Sequence, residues 1–76
     1  MSAGAKRIAE LQPGDLSTHA GGACCEPGAP FRVDKLDPRG SGIEVTWSCT
    51  LCGRTFEPLP CSPDCLVTFF GAGARP

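Results

Sequence analysis

The chain has no apolar run of membrane-spanning length, a single histidine, no concentrated basic stretch and no phosphate-cradling glycine motif ahead of a lysine. Each absence excludes something. A helix needs ~20 consecutive apolar residues to cross a bilayer, so a membrane role is not expected. The opening stretch from Met1 to Arg7 lacks the apolar core of a secretory signal, which points to a reducing cytoplasm. Lys6-Arg7 is only a dipeptide, and the formal charge is −1 with acids and bases interspersed. Strong non-specific nucleic-acid binding needs several cations on one face. The sole histidine, His19, lies in a glycine-rich loop with no nucleophile paired to it, so neither enzymatic activity nor a small-molecule substrate is expected.

What the chain does have is cysteine, six in 76 residues, with ten glycines and eight prolines. A chain this short buries a thin core and usually needs a staple. Structural zinc contributes ~10–16 kcal/mol in small finger peptides, enough to decide whether such a chain folds. Four cysteines form two close pairs, Cys49 with Cys52 and Cys61 with Cys65. Two such pairs can complete one tetrahedral zinc site. Disulfides are the competing staple and would make the chain a secreted peptide.

Along the chain, residues 1–18 read as an N-terminal arm with a short helix carrying Ile8 and Leu11, residues 19–70 as the zinc-binding domain, and 71–76 as a loose tail. Phe31 and Val33 alternate with Arg32 and Asp34. Ile43, Val45 and Trp47 alternate with Glu44, Thr46 and Ser48. Both runs have strand period, and the Asp37-Pro38-Arg39-Gly40-Ser41-Gly42 stretch between them is turn chemistry, so a hairpin is expected over roughly 31–36 and 43–48. By parity Cys49 continues its inward face. Ser62-Pro63-Asp64 reads as a helix start, with Leu66, Phe69 and Phe70 on one face of a helix over 62–70. The expected fold is a small α+β zinc-stabilised domain with a β-hairpin, a zinc knuckle and a short C-terminal helix.

The order Cys49-x-x-Cys52-Gly53-x-x-Phe56 followed by Cys61-Ser62-Pro63-x-Cys65 resembles small bacterial and phage treble-clef or zinc-ribbon fingers of the CxxCGxxF…CSxxC type, over residues 47–70. The resemblance implies zinc on Cys49, Cys52, Cys61 and Cys65. An upstream arrangement also resembles a zinc ribbon, which would imply Cys49 and Cys52 joined by two of His19, Cys24 and Cys25. Two adjacent cysteines seldom share an ion comfortably, so His19 plus one cysteine is the expected pair there. Two zinc ions using nearly every candidate are a third arrangement.

The missing basic stripe and the aromatic pair Phe69-Phe70 point to a protein partner, bound through the C-terminal helix and the outer hairpin face. By analogy that partner is a regulatory or transcription-related protein. A nucleic-acid-binding finger is the alternative.

Overall fold

The computed structural model describes residues 4–22, 24–26 and 29–72; of the tail expected over 71–76, the first two residues end a strand and 73–76 lie outside the described residues. Six strands form one antiparallel sheet: β1 Gly4–Arg7, β2 Asp15–Ser17, β3 Phe31–Arg39, β4 Gly42–Cys49, β5 Leu59–Cys61 and β6 Leu66–Ala72. Their order across the sheet is β1-β6-β2-β3-β4-β5. The only helical element among the described residues is a single 3-10 turn, Ile8–Glu10. The expected α+β class, with its short C-terminal helix, is therefore corrected to an all-β fold.

The hairpin forms the centre of the sheet and runs longer than the alternation alone indicates. Phe31 pairs with Cys49 and Val33 with Trp47, while Arg39 pairs with Gly42. Only Gly40 and Ser41 lie between the strands, and Gly40 takes φ +58, the glycine-first conformation of a two-residue hairpin turn. A bulge at Asp34 shifts the register, so that Leu36 rather than Lys35 falls opposite Val45. The inward side chains Phe31, Val33, Val45, Trp47 and Cys49 join Ile8, Leu11 and Val67 in one core.

The segment expected as a helix over 62–70 is a tight turn followed by β6. Cys65 N–H donates to the Ser62 carbonyl at 3.0 Å. Serine and proline open turns as readily as they cap helices. Val67 and Thr68 are β-branched, and Phe69 and Phe70 add aromatic strand formers. Val67 faces the core, and β6 pairs with β1 on one side and β2 on the other. Residues 4–17, read from sequence as an arm, likewise supply β1, the 3-10 turn and β2 to the sheet.

Topology forces the sheet to curl. Four strand spacings of ~4.8 Å would separate β5 from β6 by ~19 Å in a flat sheet. Only residues 62–65 connect the two strands, and their turn is hydrogen-bonded, far short of full extension. The sheet therefore bends into a half-barrel. Ile8 N–H donates to the Cys65 carbonyl at 2.9 Å and Ala9 N–H to the Pro63 carbonyl at 3.0 Å, docking the 3-10 turn on this connection. Pro60 is tolerated because β5 is an edge strand. The open end of the central hairpin, where β3 begins and β4 ends, carries Cys24, Cys25, Cys49 and Cys52.

Candidate metal centre

Cys49 closes β4 with its side chain in the core, only 2% exposed. The chain then folds back on itself: Gly53 N–H donates to the Cys49 carbonyl and Cys49 N–H to the Arg54 carbonyl, both at 2.9 Å. Gly53 has φ +78, a conformation that favours a residue without a Cβ. Phe56 N–H then reaches the Trp47 carbonyl at 3.0 Å, and Ser48 bridges Thr55, so residues 54–56 run back alongside β4. The resulting knuckle presents Cys52 beside Cys49. Thr50 Oγ1 donates to the Pro30 carbonyl at 2.7 Å, tying the knuckle to the chain entering β3.

That entering chain brings Cys24 and Cys25. They lie in a bend rather than a strand, so their side chains do not alternate to opposite faces. Both sulfurs reach the knuckle. Cys24 Sγ lies 3.7 Å from Cys52 Sγ and 3.9 Å from Cys25 Sγ, and Cys49 Sγ lies 3.8 Å from Cys25 Sγ. All four sulfurs fall within 4.8 Å of one another. A zinc ion with Zn–S bonds of ~2.3 Å at its tetrahedral centre requires sulfur–sulfur edges of ~3.8 Å. Three of the contacts already match that edge.

The local electrostatics separate the four thiols. Cys49 is held down to about 6, first by the backbone N–H of Cys52, with the Leu51 N–H adding against the cost of burial. Cys25 is pushed up to about 12, first by its hydrogen bond with the Cys52 thiol and then by that with Cys49. Cys24 is raised by burial and then by its contact with Cys52. Without a cation the cluster thus concentrates negative charge on Cys49 and keeps Cys24 and Cys25 protonated. A soft divalent cation removes that conflict, because it stabilises several thiolates at once.

The other expected site residues lie elsewhere. His19 is outside the four-sulfur group and packs among aromatic rings, 4.6 Å from Trp47, 5.2 Å from Phe31 and 5.4 Å from Phe56 between centroids. Burial pushes its pKa down. Cys61 and Cys65 are half-buried on either side of the β5–β6 turn. Their sulfurs approach the Leu59 and Leu66 carbonyls at 3.4 and 3.9 Å. Burial raises the Cys61 thiol, and a charge on Cys65 raises it further. Phe69 is half-buried against the core, with Lys6 Nζ 4.1 Å above its ring. Phe70, the unpaired residue where β6 bulges against β2, is also half-buried.

The upstream arrangement expected from sequence contained Cys24 and Cys25 but set their joint use aside. The turn-forming composition of residues 20–30 was the available signal, since a bend lets neighbouring side chains converge. No protein-family model, no curated protein and no solved structure matches the chain. The fold and the cluster therefore define its class by themselves: a small antiparallel β protein with a four-cysteine site able to hold a metal ion.

Proposed function

We propose that the chain is a structural-zinc module that binds a protein partner, with one zinc ion on Cys24, Cys25, Cys49 and Cys52. The observation carrying the metal reading is the set of sulfur–sulfur contacts at 3.7–3.9 Å, the edge length of a tetrathiolate zinc site. Zinc fits better than a hard cation because every donor is a thiol. The ion would join the open end of the hairpin to the chain entering it, which is where the sheet has no neighbouring strand to hold these loops.

The partner reading rests on what the surface offers. Lys6 pairs with Asp15, Arg7 with Glu10, Arg32 with Asp34, and Arg39 with Asp37 and Glu44. Arg54 lies over the Phe56 ring. With four of the described basic residues paired to acids, Lys35 and Arg54 alone do not make the continuous positive track that a phosphate backbone requires. Among the described residues two large apolar side chains remain exposed, Leu51 at 56% on the knuckle and Leu66 at 64% at the start of β6. A regulatory or transcription-related protein remains the class of partner proposed.

Native mass spectrometry of protein expressed with supplementary zinc tests the metal reading. One zinc is expected in the wild type and in Cys61→Ser, and none in Cys25→Ser. Retention in Cys25→Ser with loss in Cys61→Ser would move the ion to the downstream quartet. For the partner reading, no binding to single- or double-stranded oligonucleotides is expected at ~50 mM salt. Tight, salt-sensitive binding there would make the chain a nucleic-acid-binding protein instead.

A further inference from the structure

We infer that His19 is a positioning residue for the metal centre, holding the Cys24–Cys25 bend over the hairpin knuckle without touching the ion. The inference rests on the metal reading above and concerns how the four donors are brought together.

The imidazole works as a clasp between two parts of the chain. Its Nδ1 accepts the Gly21 N–H at 2.8 Å, which leaves the ring proton on Nε2. The Gly22 N–H returns to the His19 carbonyl at 3.2 Å, so residues 19–22 form a small loop wound about the ring. A Cβ on Gly21 would lie 2.8 Å from Cε1 and 3.1 Å from Nδ1 of His19. The ring cannot swing away to admit it, because Trp47, Phe31 and Phe56 surround its other sides.

Those aromatic neighbours belong to the other half of the metal centre. Phe31 lies directly across the hairpin from Cys49, and Trp47 precedes Cys49 by one inward position. Trp47 Nε1 donates to Ser17 Oγ at 3.1 Å, which pins the strand leading into His19 against the same ring. One face of the imidazole thus registers against the Cys49 side of the site. Its Nδ1 holds the backbone three residues ahead of Cys24.

The choice of histidine itself carries information. Nε2 is buried without a hydrogen-bond partner, an unfavourable state for a polar nitrogen. Phenylalanine would fill the aromatic space without that penalty but offers nothing to the Gly21 N–H. Asparagine would accept that hydrogen bond but leave the space empty. Only an imidazole supplies both, which explains its place on a path that ends at two of the four thiols.

Cobalt(II) is the probe, added to the fully reduced chain and read by its thiolate charge-transfer and d–d absorption. The wild type is expected to show a four-sulfur spectrum. His19→Ala and Gly21→Ala should bind cobalt about 10–100-fold more weakly, the range typical of residues that orient ligands, with the four-sulfur spectrum unchanged. His19→Phe and His19→Asn should each fall between wild type and His19→Ala. Val67→Ala, which weakens the sheet away from the loop, should change affinity by no more than about twofold.

Wild-type affinity in both His19→Ala and Gly21→Ala would overturn the inference, as would an equal loss in Val67→Ala. A wild-type spectrum of three sulfurs and one nitrogen that changes in His19→Ala would make His19 a ligand. Failure of the wild type to bind cobalt would overturn the metal reading and this inference with it. If near-UV circular dichroism shows His19→Ala to be unfolded, Gly21→Ala and His19→Asn decide the same question by the same affinities.

Discussion

Cys49 with Cys52 and Cys61 with Cys65 look alike as sequence: two cysteines, a short spacer, and a turn residue inside or just beyond it. The backbone treats them differently. In the first pair the chain folds back over Cys49 and aims the N–H groups of Cys52 and Leu51 at its sulfur, which holds that thiol down to about 6. In the second pair the N–H of Cys65 goes to the Ser62 carbonyl and that of Asp64 to Ser62 Oγ. The sulfurs there meet carbonyl oxygens, and burial raises Cys61. A spacing of cysteines becomes a thiolate site when the turn's amide hydrogens point at sulfur, and the second turn has already committed its own to oxygen.

That contrast is best broken at its strongest point. Cys49→Ser, or chelation of the wild type, should remove most of the metal-dependent stability and unfold the chain at room temperature, since structural zinc contributes ~10–16 kcal/mol in small domains. Cys65→Ser should cost about 1 kcal/mol or less by urea denaturation and leave metal content unchanged. Equal losses in the two variants would abolish the distinction.

Acid sharpens the same comparison. Cys24 and Cys25 have raised values in the metal-free chain, so each still carries a proton at neutral pH and must release it to bind zinc. Apparent zinc affinity should therefore rise by at least ~100-fold per pH unit between pH 6 and 8. Below the Cys49 value of about 6 a further proton must leave on binding, and the slope steepens. Competition titrations against a chromophoric chelator measure it; a slope near zero would mean that the thiols are not the ligands.

The core supplies a smaller effect of another kind. Ile8 is completely buried, and Ile8→Ala should cost ~2–5 kcal/mol by urea denaturation while leaving one zinc per chain. Smallest of all, Leu51→Ser on the exposed knuckle should change stability by less than ~0.5 kcal/mol. A larger loss would show that Leu51 is packed rather than available to a partner.

The hairpin was legible because alternation specifies both its strands and the inward parity of Trp47 and Cys49. The C-terminal helix was misread because Leu66, Phe69 and Phe70 satisfy helical spacing while Val67 and Phe69 satisfy strand spacing equally well. Within seven residues periodicity does not separate the two, and the run Val67-Thr68-Phe69-Phe70 held the better signal in its β-branched and aromatic content. For the site, Cys49 and Cys52 were identifiable from their short loop and Gly53. Their partners were not fixed by spacing, because a long-range pairing decides it: Phe31 opposite Cys49 delivers the chain from Cys25 to the knuckle. His19 is readable from sequence as a candidate ligand, but its aromatic surroundings and its hydrogen bond from Gly21 depend on long-range packing that local sequence does not display.

The position of β6 between β1 and β2 has a consequence for synthesis. β1 has no neighbour, and β2 has only β3, until residues 66–72 have left the ribosome, so the sheet cannot close progressively as the chain emerges. The four clustered thiols, in contrast, all lie within the first 52 residues. Metal capture can therefore precede closure of the sheet, and a nascent chain already clipped at its cysteines would search far fewer arrangements for the β6 pairing than a free one.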